Sequence, residues 1–246
     1  QCKNEIHNIL QRANIKLTSY LSDIYGITGI TLLEMFIDGE VITEQTILPK
    51  IHGKVKATAA ELVEAMDGKL SFEDRFLLGQ SLEHYRHSVN QVEEITVVIK
   101  QYVLERFERE YHLLIELPGV SAIVACVILS EIGPNVEAFK SQGNLASWAG
   151  VCPGSYESAG IKKSSHTTQG NKYLKSILFQ AGGTAGRSKD EAFHNLYARI
   201  SGRSSKMKAI IACAHKMIRV IYKILSTGEH YDAKKALGLR QQARAN

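Results

Sequence analysis

From Ser71 no proline interrupts the chain until Pro118, and no other feature of the sequence restricts its fold as much. Within that run Leu78, Leu82, Tyr85, Val89, Val92, Thr96, Ile99 and Val103 recur at alternating spacings of four and three residues. Sustained over roughly three and a half repeats, this is the heptad seam of a coiled coil. Ser71, with Asp74 three residues on and Phe72 opening the apolar face, comes close to a capping box at the start. At about 1.5 Å per residue, a helix over 72–108 spans about 55 Å. A helix that long must be packed along its length, either against a second copy, giving a homo-oligomer through 72–108, or inside the monomer. The period fits both.

The flanking segments predict more helices. Residues 1–15 carry Ile6, Ile9, Leu10 and Ala13 at helical spacing, and shorter helices follow around 17–24, 31–37 and 57–66, separated by glycine-bearing turns. Beyond the seam, two apolar helices meet at Leu117-Pro118-Gly119-Val120, and the second stops at Gly133-Pro134. Such a helix–hairpin–helix can hold a phosphate on backbone N–H groups at Gly119 and Val120. A plain connection within a core suits the same residues. Residues 143–149 form a short helix with the single Trp, Trp148, read as a core anchor. Helices follow over 172–186, 191–200 and 207–225. In the first of these Ala181, Gly182, Gly183, Ala185 and Gly186 admit another backbone at close range. The fold class is mainly α: a helical N-terminal segment (1–70), a coiled-coil helix (71–108), a helical domain with a helix–hairpin–helix element (109–230) and a flexible tail (231–246). No segment with strand periodicity is expected.

Charge divides the chain. Residues 1–149 carry 13 Lys/Arg against 20 Asp/Glu, a net of −7, whereas residues 150–246 carry 17 against 5, a net of +12. Segregation of this kind points to a polyanion partner for the C-terminal part, with nucleic acid favoured. Cys2, Cys126, Cys152 and Cys213 are scattered singly, so neither a disulfide framework nor a zinc site is indicated and a reducing cytoplasm is expected. His84 and His87 lie one turn apart without accompanying carboxylates, as on a solvated helix face. The longest apolar run, 120–129, is too short to cross a bilayer. The first residues lack the apolar core of a signal peptide.

The basic half begins at the loop "GVCPGSYESAGIKKSSHTTQGNKYLK", residues 150–175. Its candidate nucleophiles are Ser155, Ser158, Ser164 and Ser165, with Lys162, Lys163 and His166 as neighbours. A serine hydroxyl needs a base, a cation or a metal-organised site before it attacks. Cations and backbone N–H groups could stabilise a phosphoryl group under attack. No G-x-x-x-x-G-K-[ST] occurs, so the loop is not a P-loop. On these grounds alone, phosphate binding is the simpler reading.

The run "LPGVSAIVACVILSEIGPNVEAFKSQGNLASWAGVCPGSYESAGIKKSSHTTQGNKYLK", residues 117–175, closely resembles the C-terminal transposase domain of the one-ten family of bacterial insertion sequences. That family shows, in the same order, an "IPGIG"-like hairpin, an "AEIGD/P…F" step, "LASWAGLxPG" and "ESAGKxxxGxTxKGNxxLR". Residues 13–40 are similar to the segment preceding its coiled coil, so the likeness extends over about residues 1–230. The resemblance implies DNA transposition by a composite active site. A ribonuclease-H-like N-terminal domain binds divalent metal, Mg2+, through four carboxylates. The C-terminal domain supplies a serine from the "SAG" segment, here Ser158, which attacks a DNA phosphodiester and leaves a phosphoserine linkage and a free hydroxyl end. Lys162, Lys163, Asn171, Lys172 and Lys175 would bind the nucleic-acid backbone. A structured guide RNA, a multimer and a cytoplasmic, nucleoid-associated setting are implied as well.

The sequence departs from that pattern in two places. Gln169 stands where the family often has Lys or Arg. The carboxylate domain is not found, and the acids of residues 1–149 sit on predicted helices and do not replace it, whereas two-metal chemistry requires clustered carboxylates. The chain is therefore expected to be the C-terminal part of a transposase, holding no metal itself, which binds nucleic acid but does not cut it alone. The alternative is a non-catalytic nucleic-acid-binding or oligomerisation fragment.

Overall fold

The proline-free run forms one long element. In the computed structural model, which describes residues 2–152, 156–158, 161–164 and 167–238 (the backbone alone over 156–164), it spans Phe72–Ile115. Ser71 caps it: its Oγ accepts the Asp74 N–H at 3.0 Å and donates to the Asp74 carboxylate at 3.2 Å. At Phe107 the backbone leaves helical values (φ −138°, ψ 35°), so two helices meet there at a kink, near the predicted end at 108. With five helices before it, this element is α6. The earlier ones are α1 (Cys2–Arg12), α2 (Leu17–Tyr20), α3 (Ile27–Asp38), α4 (Glu44–Ile47) and α5 (Ala59–Ala65).

The heptad seam is split between two environments. Leu78 and Leu82 are buried in the core of one compact unit, Gln1–Glu94, and Val103 in that of a second, Ile95–Asn246. Between these ends Val92, Ile95, Val98, Ile99 and Tyr102 are 45–65% exposed. Of the seam residues between these ends, Val92 and Ile99 are exposed and Val89 and Thr96 half-buried.

In the first unit the predicted stripe of α1 (Ile6, Ile9, Leu10) packs with Leu17, Leu32, Leu33, Ile47 and Leu62. The short helices are fixed at their starts. Thr43 accepts the Thr46 N–H and Thr58 that of Glu61, each with the reciprocal bond of a capping box. Tyr25 ties α1 to α6: its hydroxyl donates to Lys3 O at 2.9 Å and its ring lies 4.8 Å from that of Tyr85.

The second unit is built on α11 (Lys206–Thr227), packed against α8 (Gln142–Trp148), α9 (Lys172–Arg187) and α10 (Glu191–Arg203), with α7 (Ala122–Ile132) on α9. Ser205 and Asp190 cap α11 and α10. Cys213, Ala214, Met217, Ile218 and Ile221 of α11 are fully buried, as is Phe193 of α10. The small residues of α9 admit a neighbouring backbone as expected. A Cβ on Gly182 would stand 2.7 Å from Ala214 N, so α9 and α11 touch main chain to main chain. The tail expected over 231–246 is helical at Ala233–Gly238 (α12), and residues 239–246 lie outside the described residues.

The fold is mainly α, with one departure among the described residues. Tyr156–Ser158 (β1) and Ile161–Ser164 (β2) pair antiparallel, Ser158 opposite Ile161 and Glu157 opposite Lys162, with an irregularity between Tyr156 and Glu157. Three- and four-residue strands are too short for alternation to show in the sequence.

His215 of α11 is held below its ordinary value of 6.5 by burial, reinforced by Arg219. As the pH falls below that value, the unfolded chain takes up a proton before the folded one does, so stability declines from there downward. Urea midpoints measured from pH 8 to pH 5 are expected to fall less for His215→Gln than for the wild type.

Candidate nucleic-acid interface

The serine loop leaves and re-enters the domain through two glycines pressed against each other. Gly150 (φ +71°) and Gly170 (φ +92°) are both left-handed. A Cβ on Gly150 would lie 1.8 Å from Gln169 O, and one on Gly170 2.5 Å from Gly150 N and 2.6 Å from Trp148 O. No other residue suits either conformation or clearance. Beside this crossing the Asn171 N–H donates to Trp148 O at 3.0 Å, and the Lys175 ammonium donates to Thr168 O at 2.7 Å. The loop therefore departs from a closed base.

Asn171 connects that base to two helices. Its Oδ1 accepts the N–H groups of Tyr173 and Leu174 at 3.0 and 2.9 Å, capping α9, and its Nδ2 donates to Glu131 near the end of α7. The side chain that the sequence assigned to nucleic acid is engaged within the protein. Of the flanking cations, Lys172 is exposed with its ammonium 4.8 Å from the Tyr173 ring, and Lys175 holds the returning loop.

The Pro118-Gly119 hairpin is packed on α9. A Cβ on Gly119 (φ +82°) would meet Ala181 O at 2.3 Å, and the Val120 side chain is buried. The Val120 N–H already donates to Leu117 O at 3.0 Å. Of the two readings open for this stretch, the core connection has these observations behind it.

Ser158 is the last residue of β1, and Lys162 and Lys163 lie in β2. The expectation for their side chains lies outside the described residues, as do Ser155, Ser165 and His166 altogether. Among the described residues no cluster of His, Cys, Asp and Glu fits a metal ion, so the carboxylate donors that Mg2+ requires are not assembled there. No helix of the described residues is long and apolar enough to cross a membrane. Sequence reasoning missed the Asn171–Glu131 bond and the glycine crossing. The paired glycines of "WAG" and "QGN" were the available sign of the crossing; Glu131, forty residues from Asn171, had none.

Residues 111–198, spanning the hairpin, α7, α8, the loop and α9, match the family model described as Transposase IS116/IS110/IS902 family. This segment is similar to the transposase domain of that family. Two kinds of relative align with more of the chain. A protein of Sinorhizobium fredii named "Putative transposase y4pF/y4sB" is 31% identical over 157 residues, 61% of this chain and 39% of its own length. "Pilin gene-inverting protein" of Moraxella lacunata is 27% identical over 158 residues, 62% of this chain and 48% of its own length, and its namesake in Moraxella bovis is likewise 27% identical, over 63% and 48%. The chain spans less than half the length of these relatives. Within residues 111–198, the "WAG" and "QGN" segments coincide with the loop's closed base.

Asn171→Ala is expected to lower the unfolding free energy by about 1–2 kcal/mol through loss of the cap. Hydrogen exchange at the Tyr173 and Leu174 amides should quicken, with the amides of α11 little changed.

Proposed function

We propose that this chain is the nucleophile-bearing, DNA-binding part of a transposase, with Ser158 as nucleophile. The observation that carries the reading is the family match over residues 111–198, in which the strand ending at Ser158 pairs with Ile161–Ser164 in the half of net charge +12. The Ser158 oxygen bonds to the phosphorus of a DNA phosphodiester while the P–O bond to the leaving strand breaks. The serine proton ends on the departing oxygen, directly or through a base, leaving a phosphoserine and a free hydroxyl end. Lys162, Lys163 and Lys172 hold the phosphate backbone, Lys175 shapes the loop that presents them, and Asn171 with the Gly119-Val120 hairpin keeps α7 and α9 in place beneath it. Carboxylates from another domain hold the metal. The printed names of the relatives, a transposase and pilin gene-inverting proteins, fit a role in DNA rearrangement.

The same reading includes a structured guide RNA as partner and a cytoplasmic, nucleoid-associated setting. It also includes a homo-oligomer through 72–108, supported by the exposed stripe around Ile95 and Ile99. A non-catalytic binding fragment is the alternative, distinguished by the absence of covalent chemistry.

Joined to a carboxylate domain and incubated with element-end DNA and Mg2+, the chain is expected to form a denaturation-resistant DNA adduct on Ser158. Ser158→Ala should abolish the adduct and spare binding, whose log–log dependence on salt reports the phosphates neutralised. Adducts persisting in Ser158→Ala would overturn the assignment. For the oligomer, Leu82 is a poor probe because it is buried in the first unit's core. Ile95→Glu with Ile99→Glu should convert the multimer to folded monomer in sedimentation, with helical circular dichroism retained.

A further inference from the structure

Resting on the nucleic-acid reading above, we infer that Trp148 and Tyr173 form a stacking site for the bases of single-stranded DNA at the base of the serine loop. Trp148 stands in a helix whose neighbours Leu145, Ala146 and Ala149 are fully buried, yet it is itself 39% exposed. Its indole is steadied by Phe139, ring centroids 5.3 Å apart, and Phe139 in turn by its carbonyl, which accepts the Tyr222 hydroxyl at 3.1 Å. Tyr173, in the first turn of α9, is 60% exposed. Trp148 precedes the loop's closed base in the chain and Tyr173 follows it, and the Asn171 N–H donates to Trp148 O there at 3.0 Å.

Two large aromatic rings left in water beside a nucleophile loop cost free energy unless a flat apolar partner covers them. The surrounding charge narrows the choice of partner. The Lys172 ammonium lies 4.8 Å from the Tyr173 ring, and α9 and the loop are basic, so the occupant combines flat faces with negative charge, as a nucleotide strand does. In a duplex the base faces are hidden by stacking, which leaves an unpaired strand. DNA rather than RNA is the occupant because the strand at this point is the one the loop would cleave. Bases splayed onto Trp148 and Tyr173 would hold the strand at the base of the loop whose sequence carries Ser158.

The single Trp makes the test direct. The 246-residue chain is titrated with a mixed-sequence single-stranded DNA 15-mer, the matching duplex and the matching RNA, following Trp148 emission and the anisotropy of a labelled strand. Single-stranded DNA is expected to quench Trp148 and the duplex to leave its emission largely unchanged. Tyr173→Ala and Trp148→Ala should each weaken single-strand binding by roughly tenfold, Tyr173→Phe and Trp148→Phe should restore most of it, and the salt slope should not change. Tyr173→Ala carries the test if Trp148→Ala impairs folding, because its ring is exposed. Salt-dependent binding with no quenching and no effect of Tyr173→Ala would overturn the stacking site while leaving the nucleic-acid reading intact. Tighter binding of RNA with the same aromatic dependence would overturn the choice of DNA. Absence of all nucleic-acid binding would overturn both.

Discussion

Contact between main chains along α9 is the constraint on which the second unit depends. At Gly182 the helix meets α11 with no side chain between them, and at Ala181 the Gly119 turn reaches its carbonyl just as closely. Leu174 and Leu178 bury its remaining inner face, and Asn171 closes its first turn while bonding to α7. The hairpin turn at Gly119, Asn171 and Lys172 are therefore referenced to one helix. Interiors packed this tightly do not yield smoothly to added volume. A methyl group at Gly182 would separate two helices instead of shifting one side chain.

The division between structural and functional residues differs from what the motif alone suggests. Asn171 and Lys175 look, in one dimension, like donors waiting for a phosphate. In three dimensions Asn171 is a helix cap and Lys175 a support for the loop backbone. Lys172, between them, keeps its charge exposed. Electrostatics enters a second way through α11, where burial lowers both Lys216 and His215 from their ordinary values. Desolvation favours the neutral forms of both side chains, so the helix also carries titratable groups partly withdrawn from water.

Much of the architecture was legible because long helices repeat their message. The proline-free run, the stripe of α1 and the small residues of α9 all point to what the structure contains, and the mainly α class follows from them. The heptad seam was legible as a period but not as a set of partners, since Leu82 and Ile99 share the spacing and differ wholly in burial. The β-hairpin escaped notice because strands of three and four residues offer no period. The spacing makes Trp148 a core anchor beside the fully buried Leu145 and Ala149, and only the tertiary arrangement leaves it 39% exposed. The Asn171–Glu131 bond joins residues far apart in sequence and belongs to no local pattern.

The crossing of Gly150 and Gly170 separates the length of the serine loop from the stability of what lies below it. Because the two ends are held in contact by backbone geometry, residues added or removed between them change neither the span to be bridged nor the packing of α8 and α9 on α11. The cost of a longer excursion is then mainly entropic and grows slowly, by about 0.6 kcal/mol for each doubling. Selection acting on a loop of this kind can alter its reach and composition as an exchangeable cassette while the glycines and the helices that frame them stay as they are.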